Sequence, residues 1–111
     1  MINNMRPIHP GEQLRDELEE LGMSGNALAL ALRVPANRVT DVLAGKRGIA
    51  ADTALRLARY FDTTAEFWMN LQTAYELRLA RREYGQRIDS DVKPRAAERA
   101  IARDGTVGQP L

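Results

Sequence analysis

Ala36, Asn37, Arg38, Thr40 and Asp41 are residues that could read the edges of base pairs. Asparagine pairs bidentately with adenine, arginine with guanine, and threonine can serve either base with its hydroxyl or meet a thymine methyl. On a helix these five lie on or near one side, while Val39, Val42 and Leu43, at i, i+3 and i+4, share the other and should face a core. Asp41 is awkward near phosphate, and two roles stay open for it: accepting from a cytosine amine, or pairing with a neighbouring arginine. Lys46 and Arg47 follow directly, where phosphates flanking such a helix would lie. Ser24, Gly25 and Asn26 open the preceding helix, whose unpaired first-turn amides can hold another phosphate.

The elements that must position these groups follow from the same stretch. Ser24 precedes a run with Ala27, Leu28, Ala31 and Leu32 at helical spacing, and its hydroxyl can accept from a first-turn amide. Val34-Pro35 ends that helix, because proline lacks an N–H and disfavours the α conformation in the residue before it. A second short helix starts at about Pro35 and closes at Gly45. Two short helices joined by a tight turn make a helix-turn-helix pattern. The alternative is a plain packed pair in some all-α domain. The base-reading chemistry of the outer face, followed by Lys46-Arg47, favours binding to double-stranded DNA.

Composition narrows the rest. At 111 residues the chain supports one modest core, and without cysteine it has neither disulfides nor thiolate metal ligands. No apolar run approaches the ~20 residues of a membrane span, and MINNMRPIHP lacks the apolar core of a signal peptide, so a cytoplasmic location without membrane partners is expected. Net charge is only +1, but residues 1–32 carry two Arg against five acids while residues 33–47 carry four basic groups against Asp41. Positive charge thus gathers on the helix-turn-helix, as phosphate binding requires. His9 is the only histidine, there is no Gly-rich phosphate loop, and no catalytic set emerges; neither enzyme activity, metal nor cofactor is expected.

In chain order, residues 1–9 read as a loose arm, with His9 structural at the start of a helix opening at Pro10. Leu14, Leu18 and Leu21 form that helix's apolar stripe, Asp16, Glu17, Glu19 and Glu20 its acidic back, and Gly22 its stop. Beyond the basic loop Lys46–Ile49, a helix over Ala51–Phe61 should bury Ala54, Leu55, Leu57, Ala58 and Phe61. Thr64 then caps a long helix reaching Tyr84, in which Phe67, Leu71, Ala74 and Tyr75 face the core and Trp68, Met69 and Leu79 extend the apolar surface. So long a last helix suggests a homodimer seam. Gly85 should break it, with a strand-like piece over Gln86–Val92, a conceivable helix over Pro94–Arg103 and a disordered end. The expected architecture is therefore all-α, with a five-helix DNA-binding domain over residues 1–84 and a flexible tail over 85–111.

The chain resembles the Xre/Cro-like helix-turn-helix family, and within it the HigA-type, or VapI-like, antitoxins. The resemblance is carried by His9-Pro10-Gly11-Glu12, by Asn37-Arg38 through Gly45-Lys46-Arg47, by Ala51–Phe61, and by Glu66-Phe67-Trp68, Leu71-Gln72 and Ala74-Tyr75 to Leu77. Three departures stand out. Many relatives carry Gln at Gly25, where it touches phosphate; the interhelix turn usually has Gly at Arg33; and Ser or Thr at Ala50 and Gly at Asp62 are common. The resemblance implies a dimeric antitoxin that represses its own operon from an operator and neutralises a RelE-like, ribosome-dependent mRNA-cleaving toxin. Some members act as stand-alone regulators without a toxin, which is the alternative. An RNA-cleaving toxin must be basic, so the acidic first helix is a candidate docking face, with the tail beyond Gly85 as its competitor. Taken alone, those acids are only a solvated face.

Overall fold

The computed structural model describes residues 6–96. They form five helices and, among the described residues, no strand: α1 Pro10–Leu21, α2 Gly25–Leu32, α3 Ala36–Leu43, α4 Ala51–Phe61 and α5 Ala65–Asp91. The chain falls into two compact units, one ending at Leu79 and one beginning at Ala80. The boundary expected between residues 84 and 85 falls inside α5. No helix among the described residues is long and apolar enough to cross a membrane.

In the first unit, Leu14 and Leu18 of α1, Leu28, Ala29 and Leu32 of α2, Val39 and Val42 of α3, Ile49 of the loop after α3, Ala54 and Leu57 of α4, and Trp68 of α5 form one buried cluster. Helices of eight residues, such as α2 and α3, are marginal on their own; this shared burial holds them. Side-chain caps set where three helices begin. Ser24 Oγ accepts from the Ala27 amide at 3.0 Å, Thr64 Oγ1 from the Phe67 amide at 3.0 Å, and His9 Nδ1 from the Gly11 amide at 2.9 Å. Pro35 is the extended residue preceding α3, one position outside the expected start. Gly11 is required by contact: a Cβ there would lie 2.0 Å from the Val42 carbonyl oxygen, where α1 crosses the end of α3.

Several sequence expectations are corrected. The arm is anchored from Arg6 on, because its guanidinium makes two hydrogen bonds of 2.9 Å to the Glu12 carboxylate. On α5 the buried line runs through Trp68 and Gln72, while Phe67 and Ala74 are exposed. On α4, Thr53 is buried and Leu55 exposed; on α1 and α2, Leu21 and Ala31 are exposed, and Ala29 is buried instead of Ala31. Gly85 does not end α5, which continues to Asp91, so Gln86–Asp91 is helical rather than strand-like. A glycine inside a helix costs only about 1 kcal/mol relative to alanine, and Arg81, Arg82, Glu83, Gln86 and Arg87 around it are good helix formers. The part of the expected Pro94–Arg103 helix beyond Ala96, with the tail after it, lies outside the described residues.

Candidate nucleic-acid interface

The outer face of α3 is built as its spacing requires. One residue turns an α-helix by about 100°. With Val39 and Val42 buried, Ala36, Asn37 and Thr40 are therefore exposed together, with Asp41 half-buried at the edge. Gly25, the first residue of α2, is held against this helix. A Cβ there would meet Leu43 Cδ1 at 2.9 Å and Thr40 Cγ2 at 3.5 Å. The amides of Gly25 and Asn26 thus open α2 beside the Thr40 side of α3, while Ser24 spends its hydroxyl on the Ala27 amide.

Arg38 lies on the flank rather than the crest. Its Nη1 donates to Asp52 Oδ2 at 3.0 Å and Thr53 Oγ1 at 3.3 Å, both in the first turn of α4. Both contacts use one nitrogen, so Nε and Nη2 can still reach outward. Asp52 also accepts from Arg56 Nε at 3.0 Å, and Arg56 Nη1 donates to the Leu32 carbonyl at 2.8 Å. Arg56 and then Arg38 hold the Asp52 carboxyl below its ordinary pKa. This chain spans the interhelix turn, where Arg33 adopts a left-handed conformation with φ 63°. The carbonyl capture by Arg56 supports a conformation that usually selects glycine. Asp41 pairs with Arg47 at 3.5 Å, the second of its two open roles.

The loop after α3 carries Lys46 and Arg47 exposed. Gly45 turns the chain at φ 78°, and the Lys46 amide donates to the Asp41 carbonyl at 2.8 Å. His9 and Gln72 hold the loop from behind. The His9 ring packs edge-on against Tyr75 with centroids 4.9 Å apart, and the Arg47 backbone lies close enough to act on its charge. Gln72 Oε1 accepts from the Ile49 amide at 2.8 Å.

All ten expected site residues therefore lie on α2, α3 or the loop after α3, or, for Ser24, at the cap of α2. The sequence reading missed the supports. Arg15 donates to the Leu43 carbonyl at the end of α3, Arg56 braces α2, and Gln72 braces the loop. Arg15 had a signal, being the one basic residue of an otherwise acidic helix. Arg56 had its i, i+4 spacing from Asp52. Among the described residues no three His, Asp or Glu side chains gather as a metal site.

Comparison with known proteins places this geometry. The helix-turn-helix family pattern matches residues 14–68. Virulence-associated protein I of Dichelobacter nodosus is 51% identical over 82 residues, covering 73% of this chain and 76% of that protein. Among solved structures, an addiction module antidote protein of the HigA family from Coxiella burnetii superposes with TM-score 0.80 at 56% identity, covering 81% of this chain and 99% of that one. Pseudomonas aeruginosa antitoxin HigA, solved with the higBA promoter, gives TM-score 0.79 at 54% identity, covering 81% and 99%. A shared fold and half of the residues in common across three quarters or more of each relative leave one assignment: the chain belongs to the HigA-type (VapI-like) antitoxins of the Xre/Cro-like helix-turn-helix family.

Proposed function

We propose that this chain is a sequence-specific DNA-binding antitoxin. It represses its own operon as a homodimer and neutralises a small, basic RelE-like toxin that cleaves mRNA on the ribosome. The observation that carries the DNA part is the exposed crest Ala36, Asn37 and Thr40, with the α2 N-terminus against its Thr40 side and exposed Lys46-Arg47 following the helix end. That layout supports α3 lying in a major groove, with Asn37, Thr40 and the free nitrogens of Arg38 on base edges and Asp41 at the rim. Ser24, Gly25, Asn26, Lys46 and Arg47 meet phosphates. The solved HigA relative carries a promoter, which supports the same reading.

One recognition helix spans only a few base pairs, so a dimer on a palindrome is required for operator specificity. In the second unit, Tyr84 and Ile88 are exposed at i, i+4 and suit a seam with a second copy. Asp16, Glu19 and Glu20 stand exposed on α1 and suit a basic toxin.

The test has two arms. Binding is measured to a duplex from immediately upstream of the chain's own reading frame and to a random duplex. The protein encoded in the neighbouring frame is co-expressed and co-purified. Strong preference for the upstream duplex, two protomers per site and capture of a small basic neighbour are expected. Specific DNA binding without any captured neighbour would leave the stand-alone regulator.

A further inference from the structure

The loop between α3 and α4 has no ladder of its own to direct Lys46 and Arg47, yet it is held at a defined place by a side chain of α5. Gln72 is 7% exposed, and Thr53 is the only other buried polar side chain among the described residues. Ile49 is 2% exposed, so its amide, outside any helix, needs an internal partner. Gln72 Oε1 accepts from it at 2.8 Å, and Gln72 Nε2 donates to Glu76 Oε2 at 2.8 Å. These partners fix the amide's orientation, since an N–H can only donate and a carboxylate only accept. Gly48 lies directly on the same amide: a Cβ there would come within 2.6–2.7 Å of its Nε2, Cδ and Oε1. The relay Ile49–Gln72–Glu76 thus seats the loop two residues beyond Arg47.

We propose that Gln72, oriented by Glu76, is a positioning residue for the phosphate-facing loop, so that α5 sets how Lys46 and Arg47 meet DNA. This rests on the DNA-binding reading above. Gln72 touches no nucleic acid in this scheme; it acts through the loop backbone.

The test compares full-length wild type with Gln72→Met, which keeps the side chain's size and removes both hydrogen bonds. Two readouts are used: hydrogen exchange at the Ile49 amide without DNA, and the salt dependence of affinity for the upstream duplex. Gln72→Met should lose Ile49 protection and flatten the log–log salt slope by about 0.9 for each phosphate it no longer neutralises. Where Gln72→Met does not fold, Glu76→Ala is compared with Glu76→Gln. Both remove the same exposed charge, but only the second keeps an acceptor. Loss of an acid alone favours polyanion binding, so weaker binding and a flatter slope for Glu76→Ala, with Glu76→Gln binding at least as tightly as wild type, support the relay. Gln72→Met or Glu76→Ala with a wild-type slope despite lost Ile49 protection, or with that protection intact, overturns the proposal. If the wild type binds neither duplex while its Ile49 amide is protected, the DNA-binding reading fails instead, and the positioning role with it.

Discussion

Arg38 and Asp52 are joined across α3 and α4 at 3.0 Å, and the same carboxylate oxygen accepts from Arg56. A residue expected to read bases therefore also braces the helix that follows. The two roles separate experimentally, because an exposed ion pair is worth little to stability, while a bidentate base contact is worth about 1–3 kcal/mol of discrimination. Arg38→Ala should relax specificity at one or two operator positions with a small change in melting temperature. Competition binding across single-base operator variants checks this, and equal loss on operator and random duplex would remove Arg38 as a reader.

Lys46→Ala should act differently. A group that meets phosphate carries no sequence information, so affinity should fall alike for operator and random duplex and the salt slope should drop by about 0.9 per phosphate. Gly25→Gln should move the other way. The Leu43 methyl it meets is the end of a flexible side chain, so the fold should survive. A neutral amide placed on a phosphate should strengthen both duplexes with no change in slope. Titrations at four salt concentrations measure both variants.

The core carries its own prediction at Gly11. A methyl group 2.0 Å from the Val42 carbonyl oxygen cannot be accommodated by rotating a side chain, because the neighbour is backbone. Gly11→Ala should destabilise the fold by at least the ~1–3 kcal/mol typical of overpacking, lowering the thermal midpoint by many degrees for a chain this size. An unchanged midpoint would mean that α1 and α3 do not cross this closely.

How much was legible in the sequence follows from what each residue advertises. Ser24, Thr64 and Gly22 announce helix ends through local chemistry, and the periodicity of α3 places its outer face without any tertiary information. Gln72 advertises the opposite of its position. A stripe drawn by apolarity slides onto Phe67 and Ala74, whereas the helix buries Trp68 and the one glutamine whose amide finds two partners. Thr53 and Leu55 exchange places on α4 for a related reason, with Arg38 supplying the buried hydroxyl's hydrogen bond. Gly85 reads as a stop only by its local preference; the helix formers on both sides carry α5 through it to Asp91. Long-range polar partners are what local periodicity cannot carry.

Stability should fall with acid through two groups, the first beginning to act at higher pH than the second. Burial lowers the His9 pKa below 6.5, and its Nδ1 must be unprotonated to accept from the Gly11 amide. Since the folded value lies below the unfolded one, His9 contributes stability that is full above pH 6.5 and is lost as pH falls toward the folded value. The Arg6 guanidinium holds Glu12 at about 2 against 4.5, so its contribution is present above pH 4.5 and lost on approach to pH 2. Thermal midpoints against pH should therefore show a first decline that is absent from His9→Asn and a second, lower one absent from Glu12→Gln. A His9→Asn profile parallel to wild type between pH 7.5 and 5 would refute the capping role.

The toxin surface can be decided with variants the structure refines. Glu17 accepts from Gln13 Nε2 at 3.1 Å and is half-buried, so reversing it would disturb α1 itself. Asp16, Glu19 and Glu20 are exposed, and reversing these three to Lys changes the face without touching the core. The competing site must be removed without cutting α5, which runs to Asp91; truncation after Ala96 does so. An encounter between opposite charges is slowed by reversal mainly through its association rate and loses its salt dependence. Docking on α1 therefore predicts that the triple reversal slows capture of the neighbouring basic protein by at least tenfold at low salt, while the truncation leaves it unchanged. Surface plasmon resonance at two ionic strengths gives the rates directly. Capture that survives the reversal and disappears with the truncation assigns the toxin to the tail, and α1 then keeps its acids only as a solvated face.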